Sequence, residues 1–338
     1  MMRSASLALL LACTITPALA NDTEASLGIG GLIFERNDAI SMDSEDLFLS
    51  LDLVRVRYTY TNRSASPVTI LVAFPLPDVP LPGKDWDWVE AAYPDWADIG
   101  MKTLVNGMPA DLMRIDIARV AGKPVDDQLK ARGWPIRFWE DRGLNARLKK
   151  LSADDQAELI LAGLLTTDGM SSGELRPAWS VSTSFVRMQS FAPGASTTVE
   201  HSYLPSQGSS VSGGLDKGPR EVTMMTADGY AGTYCVNDAF LRDYDRRRYL
   251  PGGKLNESVL PVEYTMRYLL SPGANWKGKI GRFRLTVDMG FPDRLFSLCM
   301  DGLKKISPTR FEVVKTNYEP ERDLDLLFLS LVPAEGGP

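Results

Sequence analysis

Asp85-Trp86-Asp87-Trp88, followed by Trp96, is the part of the chain whose residue types could most readily hold a ligand. Flat aromatic faces stack on sugar rings, and the carboxylates of Asp85 and Asp87 accept hydrogen bonds from hydroxyls. Two other readings stand beside this one. The carboxylates could bind calcium, although the spacing lacks the EF-hand pattern. The tryptophans could instead fold back as a satellite packing cluster. The single histidine, His201, is the natural candidate for proton transfer. It shares a strand face with Val199 and Tyr203, and Glu200 points the opposite way. A structural histidine, half buried and bonded through one ring nitrogen, is therefore expected. Asp238 and Asp301 lie close in sequence to Cys235 and Cys299. A bridge between those cysteines would bring the two acids together, either as a mutually perturbed pair or as two solvated surface acids.

Other catalytic patterns fail on inspection. Gly208-Ser209-Ser210-Val211-Ser212 lacks the second glycine of a nucleophile elbow. Gly28-Ile29-Gly30-Gly31-Leu32-Ile33 carries Ile33 where a dinucleotide fingerprint needs glycine. There is no P-loop and no CxxC, so no cofactor is implied and no catalytic residue is assigned. One histidine also removes the common histidine-rich zinc sites, and no metal site is expected.

The elements that must position these residues begin after a leader. Arg3, the apolar stretch Ala5 to Leu11, and Ala18-Leu19-Ala20 have the form of a secretory signal peptide cleaved before Asn21. The expected location is the periplasm, with residues 1–20 excluded from the fold. A competing reading makes Leu10-Leu11-Ala12-Cys13 a loose lipoprotein site, with the protein anchored through Cys13. The apolar run is too short to span a bilayer, so no transmembrane span is expected in the mature chain. The net charge of −6 disfavours nucleic acid as a partner. Two basic clusters, Arg242 with Arg246-Arg247-Arg248 and Arg147 with Lys149-Lys150, read as solvated faces. Besides Cys13, the cysteines are Cys235 and Cys299. In an oxidising compartment such a pair reads as a disulfide, against free thiols or a soft-metal site.

Period-two alternation dominates both ends of the chain. Val54-Arg55-Val56-Arg57-Tyr58-Thr59-Tyr60 alternates apolar with polar, and Leu47, Leu49 and Leu51 do so in the opposite phase. A turn or bulge must sit near Asp52-Leu53, where the phase flips. Val68 to Phe74 forms the next strand. Similar alternation runs through Val199 to Tyr203, Val262 to Tyr268 and Phe283 to Val287. Leu326 to Val332 suits a strand buried on both faces. The middle is helical in spacing. Asp126 or Asp127 starts a helix that Gly133 and Pro135 stop, and Ser152 caps another with Asp155 in its first turn. The Gly/Ser-rich stretch Ser206 to Gly218 reads as a mobile loop. The predicted organisation is an N-terminal β-sandwich part over 21–120, a helical insertion over 121–170 and a β-rich C-terminal part over 171–338.

The segments SEDLFLSLDLVRVRYTYTN and VTILVAFPLPD resemble the opening of a bacterial exported family called a domain of unknown function, numbered forty-four twenty-four. His201-Ser202-Tyr203-Leu204-Pro205, Pro272-Gly273-Ala274-Asn275-Trp276 and Pro308-Thr309-Arg310-Phe311-Glu312 continue the likeness. It implies an exported protein without an assigned activity. The N-terminal segment is also similar to the β-sandwich module of inter-α-trypsin-inhibitor heavy chains and vault proteins, which implies a sandwich and no function. The expectation is a mainly β, antiparallel, sandwich-like protein with a helical insertion. With no coherent catalytic set, it reads as a non-enzymatic protein that binds an envelope protein or glycan. The alternatives are a carboxylate-dependent enzyme acting on an envelope glycan and a structural subunit of an exported assembly.

Overall fold

The computed structural model describes residues 21–28, 31–79, 99–167, 174–226 and 229–334. Trp86, Trp88, Trp96, Asp85 and Asp87 lie outside the described residues, as do residues 1–20.

In chain order the N-terminal strands are β1 (Thr23–Gly28), β2 (Gly31–Glu35), β3 (Ile40–Leu49), β4 (Val54–Asn62), β5 (Val68–Pro75), β6 (Lys102–Val105), β7 (Met108–Pro109), β8 (Met113–Val120) and β9 (Lys123–Pro124). Helices α1 (Asp126–Ala131), α2 (Leu144–Leu148) and α3 (Ala153–Leu161) follow. Next come β10 (Leu165–Thr167), β11 (Leu175–Pro177), β12 (Ser180–Phe191), β13 (Ser196–Tyr203) and β14 (Gly208–Val211). A second helical group holds α4 (Arg220–Thr223), α5 (Tyr230–Tyr234) and α6 (Asp238–Arg248). The chain then runs through β15 (Val259–Tyr268), β16 (Ile280–Asp288), β17 (Leu295–Leu298), β18 (Lys304–Lys305), β19 (Arg310–Tyr318) and β20 (Leu324–Pro333).

Three larger sheets organise these strands. An eight-stranded sheet has the order β18-β19-β16-β3-β4-β13-β6-β7, a six-stranded sheet β2-β1-β5-β12-β8-β9, and a four-stranded sheet β14-β15-β20-β17. The recorded ladders are antiparallel, except that β16 lies parallel to β3, from Arg282↔Ser44 to Val287↔Leu49. The mainly β, sandwich-like expectation holds. The apolar face of the eight-stranded sheet carries Leu47, Leu49, Val56, Tyr58, Tyr60, Val199, Phe283 and Leu285. Within the same core it meets Val72, Phe74, Phe185 and Phe191 of the six-stranded sheet and Met266, Tyr268, Leu326 and Phe328 of the four-stranded sheet.

The period-two reading of β4 is met residue by residue. Val54, Val56, Tyr58 and Tyr60 are buried, while Arg55 and Arg57 are exposed. The phase flip expected near Asp52 is a tight turn in which Ser50 N–H bonds the Leu53 carbonyl at 3.0 Å. A register shift between Met42 and Ser44 in β3 went unforeseen. β20 is buried on both faces as expected. Leu326 and Phe328 enter the main core, and Leu327 and Leu329 pack with Tyr234, Phe240 and Tyr244 of α5 and α6.

The helical insertion forms α1 to α3 around Leu129, Trp134, Leu144, Leu148, Leu159 and Trp179. Ser152 caps α3 by accepting from Asp155 N–H at 3.1 Å. The second helical group over α4–α6 carries no strong spacing signal and was not expected.

Two readings are corrected. The Gly/Ser-rich stretch from Ser206 to Gly218 is not simply a loop. It contributes β14, which pairs with β15, and it buries Leu215 completely. The cluster Arg246-Arg247-Arg248 is not wholly a solvated face. Arg248 is buried and grips Asp216, Nε to Oδ1 at 3.0 Å. Composition marked the first segment as flexible, but an acid at Asp216 with a buried arginine partner pins it.

Cys235 and Cys299 form a disulfide with a Cα–Cα distance of 5.0 Å. It joins the end of α5 to the residue after β17, closing the helices onto the four-stranded sheet.

Candidate functional site

A cluster of buried, interacting polar groups lies inside the sandwich, where β-strand alternation aims side chains inward. Asp22 and His201 are fully buried and Arg187 nearly so. Asp22 precedes β1, Arg187 comes from β12 of the six-stranded sheet, and His201 from β13 of the eight-stranded sheet. Arg187 donates to Asp22 through Nη2 at 2.9 Å and Nη1 at 3.4 Å, a two-point contact within the six-stranded layer, and His201 links Asp22 to the eight-stranded sheet. His201 Nε2 lies 3.1 Å from Asp22 Oδ1, and Nδ1 lies 2.7 Å from Thr103 Oγ1 of β6. The Tyr60 hydroxyl donates toward Asp22 Oδ2 at 3.5 Å, and Trp276 Nε1 donates to the Asp22 carbonyl at 2.6 Å.

Charge follows from these contacts. Burial alone would raise the Asp22 pKa, but the Arg187 charge, with His201 and their hydrogen bonds, holds the carboxyl well below its usual range. Burial lowers the His201 pKa and outweighs the attraction of Asp22. The imidazole is therefore neutral at pH 7, with Nε2–H donating to Asp22 and Nδ1 accepting from Thr103. The structural reading of His201 is correct in kind. It is sealed rather than half buried, and both ring nitrogens are bonded rather than one.

A second buried acid, Glu45 of β3, faces the same interior. Asn21 Nδ2 donates to its two oxygens at 3.1 and 3.3 Å. Burial, with a smaller push from Asp22, drives its pKa up to about 8 despite that amide. Tyr58 and Tyr268 stand beside it and share a 3.1 Å hydroxyl contact, each held well above pKa 10 by burial. No substrate reaches groups with zero exposure in this conformation, so the cluster binds the two sheets together. Sequence reasoning found His201 but missed Asp22, Glu45 and Arg187. The signal available for Glu45 and Arg187 was their place at inward positions of otherwise apolar strand faces.

The other sequence candidates are placed as follows. Asp238 opens α6 and Asp301 follows Cys299, and both are exposed. Gly208 to Val211 is strand β14, not an elbow. Gly28 and Gly31 face each other at the end of the β1–β2 ladder, which accounts for those glycines as a hairpin. Among the described residues no three of His, Cys, Asp and Glu gather to hold a metal, and no helix is long and apolar enough to cross a membrane.

Two surface features stand apart from the buried cluster. Beside α6, a shallow depression is lined by Lys217, Arg242, Arg246, Tyr249 and Leu250. The other is the outer face of the six-stranded sheet. Register places Leu27 opposite Leu32, Ala25 opposite both Phe34 and Leu71, Leu71 opposite Met188, and Val186 opposite Met113. One apolar face thus crosses β2, β1, β5, β12 and β8, and Ala25, Leu32 and Val186 are buried within it. Its members Leu27, Met113 and Met188 are 65%, 56% and 65% exposed.

The chain matches the family model described as "Domain of unknown function (DUF4424)" over residues 20–327, and it belongs to that family. No curated protein matches it. Among solved structures it is similar to a Legionella pneumophila protein described as a "putative nutrient binding protein". The two are 14% identical with a TM-score of 0.42, and the match covers 92% of this chain and 70% of that one.

Proposed function

We propose that the protein works outside the cytoplasm, after export by a leader cleaved following Ala20, as a component that binds another envelope protein. The observation that carries this reading is the outer face of the six-stranded sheet. Scattered exposed apolar residues are ordinary, but Leu27, Met188 and Met113 share one sheet face, on β1, β12 and β8, and this supports a partner site there. Its chemistry selects a protein surface over a glycan. Met113 and Met188 are adaptable apolar contacts, whereas a sugar needs a dense set of hydroxyl-matching polar groups.

The disulfide supports an oxidising compartment. The sealing of Asp22, Glu45 and His201 supports binding over acid–base catalysis, since a proton-transfer group must reach its substrate. A photo-crosslinking residue at position 188 tests the reading in intact cells, with position 161 as control. The expected result is a discrete protein adduct at 188 that Met113→Glu abolishes. Equal adducts at both positions, or none at 188, would overturn it.

A further inference from the structure

Asn21, the first residue after the expected leader cut, is fully buried, and so are Asp22 and Thr23. A new chain terminus normally lies at the surface, where water stabilises its charge. Here the residues just past the cut lie in the middle of the protein, between β3 and the turn at Ser271–Asn275. Asn21 Nδ2 touches Glu45 and the Leu270 carbonyl, the latter at 3.4 Å, while a Cβ on Gly273 would stand 2.7 Å from Nδ2.

We propose that cutting the leader between Ala20 and Asn21 completes the interior, because the α-ammonium released on Asn21 becomes the counter-charge of the Glu45 carboxylate. The inference rests on the export reading above. Three observations carry it. First, the buried cluster around Asn21 holds two acids, Asp22 and Glu45, and one committed cation. Arg187 is bound to Asp22, and among the described residues no Lys, Arg or His forms an ion pair with Glu45. Second, Asn21 Oδ1 is buried without a hydrogen-bond partner. Third, covalent geometry keeps the α-nitrogen of Asn21 about one side-chain length from its own Nδ2, the atom that touches the Glu45 oxygens. A peptide N–H offers one donor, whereas an ammonium offers three. The two Glu45 oxygens and Asn21 Oδ1 supply three acceptors. Hydrolysis of the Ala20–Asn21 peptide bond adds water across it. The carboxylate leaves with the leader, and the amine takes up a proton.

The other titratable groups facing Glu45 are Asp22, Tyr58, Tyr60, Tyr268 and Tyr318, none of them cationic. Without the ammonium, the folded Glu45 keeps its proton up to about pH 8. An unfolded chain releases that proton near pH 4.5. The unprocessed interior therefore loses stability as pH rises from about 4.5 to 8, and the processed interior does not.

The test uses the exported, oxidised protein. Mass spectrometry of the purified chain should show Asn21 as the first residue. An amine-reactive reagent should then label the α-amine at least about tenfold more slowly in the folded chain than in the denatured one. Equal rates overturn the proposal. Glu45→Gln should lower the melting temperature of the processed chain. The same substitution should leave unchanged or raise that of a chain whose shifted cut retains Ala20. A shift of the same sign in both chains also overturns it. Should the extended chain fail to fold, the labelling rates decide alone. An exported chain beginning at another residue overturns the ion pair and leaves the export reading standing. A chain that stays in the cytoplasm with its leader overturns both.

Discussion

Replacing Arg187 by Met leaves a buried carboxylate with no cation. Arg187 is 6% exposed and Asp22 is fully buried, so water cannot screen the loss. The Met side chain keeps most of the volume, which confines the change to charge and hydrogen bonds. Removing one partner of a buried pair costs about 3–5 kcal/mol, a large share of the roughly 5–15 kcal/mol that stabilises a typical domain.

The pH dependence carries the sign. In the native chain the Asp22 pKa is lowered from 3.8, so its contribution is present above about 3.8 and is lost as pH falls toward the folded value. In Arg187→Met, burial acts unopposed by that charge and the folded pKa rises. The variant then weakens further as pH climbs above about 3.8. Urea unfolding at pH 7 and near pH 3.5 should show a wide gap between the chains at the higher pH and a narrow one at the lower. Adding Asp22→Asn to the variant should recover part of the loss, with a coupling of about 1–3 kcal/mol. A loss below about 1 kcal/mol at pH 7, or one of equal size at both pH values, would refute the buried ion pair as a support of the interior.

Two further outcomes are expected. Serine at both Cys235 and Cys299 should cost about 2–4 kcal/mol in urea, and hydrogen exchange should quicken first in α5 and β17; unchanged exchange there counts against the clamp. Gly281→Ala should destabilise by about 1–3 kcal/mol, because the added Cβ would meet the Asp43 carbonyl oxygen at 2.6 Å where β16 runs beside the irregular part of β3. A melting temperature equal to the parent would place slack at that ladder.

Much of the strand content was legible because its cause is local. In β4 and in Val199 to Tyr203 of β13 every second residue is apolar or aromatic, and burial of one face follows from that period. The start of α1 at Asp126 and the Ser152 cap of α3 were legible for the same reason, since both signals act within one turn. The second helical group was not. Asp238–Arg248 is dominated by charge, and what holds it is Arg248 reaching Asp216 and the contact of Tyr244 with the four-stranded sheet's apolar face. The parallel pairing of β3 with β16 has no local signal at all. His201 was visible as the only histidine, but its partner Asp22 lies 179 positions away. Nothing within a strand's length distinguishes that aspartate from a surface acid. The tryptophan-rich run beginning at Asp85 lies outside the described residues, so its chemistry stands as the sequence states it.

The parallel ladder between β3 and β16 has a consequence for how the molecule is made. β3 ends at Leu49 and its neighbour starts at Ile280, so one long edge waits for most of the polypeptide to be delivered. Pairings between such distant segments close slowly, and an open edge invites strands from other molecules in the interval. A chain threaded through a translocation channel amino end first would hold that edge bare until nearly the last fifty residues arrive. On the export reading, holding factors on the far side of the membrane should therefore govern its yield more than the strength of the finished interior does.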